Sequence, residues 1–156
     1  MENTKSGCFN ICSNCMLDIN CCSLFDKINS PVLNKEELIK IRDFLKNDNF
    51  YDEIDENLFK LKIKNNKCIF LNNGKCTIYN YRPIDCKLYP FDIIKKDSKY
   101  YLILYSLKCI ENKIEYETKS INSLIDSLYP WIDDFTDERN YTKMKTLKYK
   151  IIKEIK

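Results

Sequence analysis

The chain contains no histidine. That excludes Ser-His-Asp and Cys-His catalysis, HExxH zinc sites and mixed Cys/His zinc fingers, because each needs an imidazole. It contains only two glycines, Gly7 and Gly74. A glycine-rich phosphate loop or a GxGxxG dinucleotide turn cannot be built from them, which argues against a nucleotide-binding Rossmann domain. No apolar run reaches the length of a membrane span, so no membrane partner is expected. The start, MENTKSGCFNIC, has no h-region. No signal peptide is therefore expected, and the expected location is cytoplasmic. The net charge is only +3, too small to argue for a nucleic-acid partner.

What the chain does have is cysteine. There are nine among 156 residues: Cys8, Cys12, Cys15, Cys21, Cys22, Cys68, Cys76, Cys86 and Cys109. Disulfides are one reading, but they need an oxidising compartment, nothing here directs export, and the number is odd. Inert buried cysteines are another, since a free thiol packs as a small hydrophobe. That explains one or two, but it does not explain the clustering. Ligation of a metal or cluster explains the clustering.

The densest stretch is Cys68 to Pro90, CIFLNNGKCTIYNYRPIDCKLYP. Asn73-Gly74 between two apolar runs predicts a hairpin that brings Cys68 and Cys76 together. Tyr81-Arg82-Pro83 predicts a helix start with Pro83 in the first helical position. Cys86 then falls in the first turn, where unpaired amides favour a thiolate. Upstream, Cys12 and Cys15 form a CxxC pair, a spacing at which two sulfurs chelate one ion around a turn. Cys21 and Cys22 are adjacent. They point apart, so they serve different sites, or one is a ligand and the other packs in the core. Cys8 lies near a terminus prone to fray and is the weakest candidate ligand.

The rest of the chain supplies a scaffold. With 44% hydrophobic residues, one small α+β domain spanning 1–156 is expected. It divides into an N-terminal cysteine segment (1–30), a hairpin and helix core bearing cysteines (31–110), and C-terminal helices (111–156). Asn34 with Glu37 three residues on predicts a capping box opening a helix to about Lys46, with Leu38, Ile41, Phe44 and Leu45 as its core stripe. A short, half-exposed strand is expected over 58–64. Phe91–Ile94 and Tyr100–Tyr105 flank the polar KKDSK turn and predict a second hairpin. Cys109 follows as a loop ligand. Ile121, Leu124, Ile125 and Leu128 mark a helix ended by Pro130. Asp133 to Asp137 reads as an acidic connector capping a last helix from about Glu138 to the end. Met144, Leu147, Ile151 and Ile155 would form its buried face and its lysines a solvated one.

Cys68 to Leu71, Cys76 to Tyr79, Arg82-Pro83, Cys86 and Tyr89-Pro90 together resemble the YkgJ-type cysteine-cluster family. That family is also known as CxxCxxCC, a zinc- or iron-chelating domain. Its pattern is an N-terminal cysteine group ending in Cys-Cys, then C-x-F-L, C-x-I-Y, R-P-x-x-C and an aromatic residue before proline. Cys12, Cys15, Cys21 and Cys22 match the N-terminal group, and Cys109 fills the place of a later cysteine. The resemblance covers residues 8–110. One departure is the gap between Cys15 and Cys21, wider than the family name implies, so Cys8 could replace a neighbour as ligand. The family includes flagellin lysine N-methylases. The resemblance thus implies an iron–sulfur cluster, and in such members S-adenosylmethionine and a protein substrate.

Without histidine, a site must be all thiolate or include carboxylate. Sulfur donors suit zinc or an iron–sulfur cluster, including 4Fe-4S. The expected ligands are Cys12, Cys15, Cys21, Cys22, Cys68, Cys76, Cys86 and Cys109. The spacing does not choose between metals, since neither a zinc ribbon nor the ferredoxin run is present; the resemblance leans towards iron–sulfur. Arg82 either offsets the negative charge of the thiolates as a tuning residue, or pairs with Asp85 or Asp92.

Overall fold

The computed structural model describes residues 30–73, 75–106, 118–141 and 148–155. The chain is an α+β protein, as its patterning predicts. The described residues gather into two compact units, 30–86 and 87–155.

In residues 30–86, helix α1 spans Lys35–Leu45. Asn34 is its N-cap, and the capping box forms as predicted. Asn34 Oδ1 accepts the Glu37 amide at 2.9 Å, and Glu37 Oε2 accepts the Asn34 amide at 3.2 Å. The helix ends at Lys46, whose left-handed backbone (φ 56°) turns its amide onto the Arg42 carbonyl. Leu38 and Ile41 are buried, as expected of the stripe. Phe44 is not core. It is 48% exposed and stacks on Tyr81 with ring centroids 4.3 Å apart. A four-residue stripe is wider than the surface this short helix has to cover.

Strands β1 (Val32–Asn34), β2 (Tyr51–Glu53) and β3 (Leu58–Leu61) form an antiparallel sheet in the order β1-β3-β2. The predicted strand over 58–64 is therefore two pieces, β3 and β4 (Ile63–Lys64), and its first piece is not half-exposed. Leu58, Phe59 and Leu61 are all buried, because β3 is central and flanked by a strand on each side. Burial of such side chains contributes about 1.5–3 kcal/mol each.

Instead of one hairpin over 68–79, the chain folds two very short ones. The first joins β4 to β5 (Lys67–Cys68), pairing Ile63 with Cys68. Its two turn residues, Asn65 and Asn66, both take left-handed backbones (φ 53° and 59°). The second joins β6 (Leu71–Asn72) to β7 (Lys75–Cys76), pairing Leu71 with Cys76. Asn73 (φ 47°) opens its turn. Asn65-Asn66 is a competent two-residue turn in its own right. It takes Cys68 into pairing with Ile63, so the Asn73 hairpin begins only at Leu71. The Phe70 carbonyl accepts the Thr77 amide at 2.9 Å and extends the second hairpin by one bond. A 3-10 turn, Tyr79–Tyr81, leads into the five-residue helix α2 (Ile84–Leu88). Pro83 sits just before that helix rather than as its first residue, and Cys86 lies in its first turn.

In residues 87–155, β8 (Phe91–Lys96) and β9 (Lys99–Tyr105) form the predicted second hairpin. Its turn is Asp97-Ser98, both left-handed, so the strands run further into the KKDSK segment than the pattern suggests. Helix α3 (Thr118–Leu128) buries Ile121, Ile125 and Leu128 as expected. After it the chain departs from the expected pattern at two places. Pro130 lies in a single 3-10 turn (Tyr129–Trp131), and helix α4 begins at once, at Ile132, running to Tyr141. Asp133 and Asp134 are not a connector but the first turn of α4, where their charge meets the amide end of the helix. No helix runs to the end of the chain. Residues Tyr149–Ile155 are a strand, β10, antiparallel to β9 with a bulge between Ile151 and Lys153. Three isoleucines and a tyrosine suit a strand, and the outer edge of β9 offers backbone groups that need partners. Met144 and Leu147 lie outside the described residues. No helix among the described residues is long and apolar enough to cross a membrane.

Candidate metal centre

Of the nine cysteines, the structure describes Cys68, Cys76 and Cys86, all within residues 30–86. Cys8, Cys12, Cys15, Cys21, Cys22 and Cys109 lie outside the described residues.

Cys68 closes β5 and Cys76 closes β7. Both are half-buried, and both rest on one core cluster that includes Phe70 and Ile78. The two hairpins thus bring this pair together, by a different register from the one predicted. Burial pushes the Cys68 thiol up, and the neighbouring Cys76 adds to that by like-charge repulsion. The backbone amides of Phe70 and Leu71 donate towards the Cys68 sulfur and act the other way. A sulfur in a turn, approached by the amides two and three residues ahead, suits a bound thiolate. Those amides would offset part of its charge, and a bound thiophilic cation would supply the rest.

Cys86 is placed by contacts of its turn with β1 and the first turn of α1. The Ile84 amide donates to Glu37 Oε1 at 2.6 Å, and the Val32 amide donates to Asp85 Oδ2 at 2.8 Å. The Ile84 amide is therefore committed to a carboxylate, not left facing Cys86 as the helix-start reading implies. Asp85 is buried, at 7% exposure. The sequence pattern gives Glu37 only its cap and Asp85 no role except as an alternative partner for Arg82. Nothing local in the chain signals either cross-contact.

Arg82 is equally buried. Its Nε donates to the Tyr79 carbonyl at 2.8 Å, and its guanidinium lies over the Tyr79 ring, 3.5 Å from the centroid. This folds the arginine back on the 3-10 turn that separates Cys76 from Cys86. Such stacking is open to arginine far more than to lysine.

Among the described residues, no three cysteine, aspartate or glutamate side chains gather into a metal site. The described thiols are a pair on one core cluster and a third, Cys86, elsewhere in the same unit. Their chemistry fits a thiophilic metal, zinc or iron, and not a hard cation that prefers oxygen.

A sequence model of the family described as "Putative zinc- or iron-chelating domain" (CxxCxxCC) matches residues 11–115. The chain belongs to this family. The matched segment holds eight of the nine cysteines and leaves out Cys8. No curated protein and no solved structure matches the chain.

Proposed function

We propose that the protein holds an iron–sulfur cluster through cysteine thiolates drawn from Cys12, Cys15, Cys21, Cys22, Cys68, Cys76, Cys86 and Cys109. The observation that carries this reading is the family match, which spans these eight residues. The pairing of Cys68 with Cys76 on one core cluster supports it. Eight thiolates suffice for one four-ligand centre with spares, or for two such centres. A cluster supplies one-electron chemistry; zinc in the same place would contribute folding energy of about 10 kcal/mol or more. Arg82 is assigned as a charge-offsetting residue beside the thiolates, held in place by Tyr79. A reducing, cytoplasmic setting is part of this reading, because the ligands must stay reduced.

The test is elemental analysis, sulfide assay and an absorption spectrum on protein purified without oxygen. Iron with matching sulfide and a brown colour are expected. Colourless protein carrying stoichiometric zinc replaces the cluster with a zinc centre. Protein carrying neither overturns the reading.

A further inference from the structure

Cys86 stands on a helix too short to support itself. A five-residue helix closes about one turn, and nucleation of a turn is unfavourable alone. Its position must come from tertiary contacts. Two of these are carboxylate to amide bonds that run in opposite directions. Asp85, next to Cys86, accepts the Val32 amide, and Glu37 accepts the Ile84 amide. Each segment thus gives one carboxylate and one amide. One bond would leave a pivot; two opposed bonds fix both separation and rotation. Glu37 is itself held, because its second carboxylate oxygen accepts the Asn34 amide in the capping box. Helix α1 is in turn anchored by Leu38 and Ile41, in the core cluster against which Cys68 and Cys76 pack. A metal demands donors placed within a few tenths of an ångström. The shared frame is what can deliver Cys86 to the other two.

We propose that Glu37 and Asp85 are positioning residues for Cys86, a reciprocal lock that tunes metal affinity without touching the metal. This rests on the metal-binding reading above. It assigns a role in that site to two carboxylates that are not donors.

The experiment measures zinc(II) affinity of the reduced, full-length protein by chelator competition. It compares the wild type with Glu37→Gln, Asp85→Ala and Asp85→Asn, each also in a Cys86→Ser background. Glu37→Gln keeps the shape but cannot accept both amides. Asp85→Asn keeps an acceptor for Val32; Asp85→Ala does not. Loss of an outer support of a ligand typically costs about 10- to 100-fold in metal affinity. That loss is expected for Glu37→Gln and Asp85→Ala, with rescue by Asp85→Asn and no further loss once Cys86 is serine. Wild-type affinity in Glu37→Gln and Asp85→Ala, or an equal loss in the Cys86→Ser background, overturns the inference alone. If Glu37→Gln does not fold, the Asp85 pair makes the same comparison. A wild-type chain that takes up neither zinc nor iron overturns the metal-binding reading, and this inference with it.

Discussion

The Tyr105 hydroxyl donates to Asp92 Oδ2 at 2.5 Å, and both side chains are buried within the β8–β9 hairpin. The other carboxylate oxygen of Asp92 accepts the amide of Ile93 at 2.8 Å. These bonds favour the charged form, but burial dominates and pushes Asp92 up to about 7. Burial also pushes the Tyr105 hydroxyl well above its ordinary range. A carboxyl pushed towards its neutral form is thus buried inside the hairpin.

Stability should depend on pH because of it. An unfolded aspartate titrates near 3.8, whereas Asp92 in the fold titrates near 7. Between those values the folded chain holds a proton that the unfolded chain has released. The stabilisation is complete below about pH 4 and is lost as pH rises towards 7, at up to about 1.4 kcal/mol per pH unit. Thermal melts of wild type and Asp92→Asn from pH 5 to 8 check this. The wild type should lose ground against the variant as pH rises and hold a constant gap above about 7. Parallel curves across the range would contradict the assignment.

The Asn65-Asn66 turn sets where Cys68 falls, and both residues take left-handed backbones. For a β-branched residue that backbone costs about 1–2 kcal/mol. Asn66→Val should lower the urea midpoint accordingly, and Asn66→Gly should leave it within a few tenths of a kcal/mol or raise it. Equal midpoints for the two variants would show that the turn is not left-handed at Asn66.

These cases show what the chain discloses and what it hides. Asn34 and Glu37 are three residues apart, so their capping box is visible in the sequence. The second oxygen of Glu37 meets an amide 47 residues away, and no local pattern can carry that. Asn-Gly announces a turn, but two competent turns compete, and the winning register depends on packing against β3 and the core. Ile151 and Ile155 are four apart and fit a helix as well as a strand. The choice falls to the strand because β9 has an unpaired edge, which is a property of the sheet and not of residues 149–155. The candidate cysteines were legible from clustering. The contacts that hold the Cys86 turn were not, because one partner in each comes from β1 or α1, far away in the chain and without a cysteine.

Arg82 offers a test of the proposed charge offset. Its contacts to Tyr79 use the planar guanidinium for stacking and its Nε for a hydrogen bond. Arg82→Gln keeps some hydrogen bonding and loses the charge. On the proposed role, the variant should bind metal about 10-fold or more weakly, or show a shifted reduction potential where a cluster is bound. Arg82→Lys should rescue incompletely, because an ammonium does not stack in the same way. Metal content and potential both unchanged in Arg82→Gln would reduce the arginine to a structural brace of the 3-10 turn.

The ligand assignment itself can be resolved one sulfur at a time. Serine keeps nearly the size of cysteine but replaces a soft thiolate with a hydroxyl, a poor donor to zinc or iron at neutral pH. Single Cys→Ser variants at Cys68, Cys76 and Cys86 should each lose bound metal, because these residues share one folded scaffold and lie within the family match. Cys8 lies outside that match, and Cys8→Ser should retain the wild-type metal content. Metal per chain, measured after gel filtration under reducing, oxygen-free conditions, separates the outcomes. Retention in all three scaffold variants would remove Cys68, Cys76 and Cys86 from the ligand set. Loss in Cys8→Ser as severe as in Cys68→Ser would bring Cys8 into it, in place of one of the cysteines at positions 12 to 22.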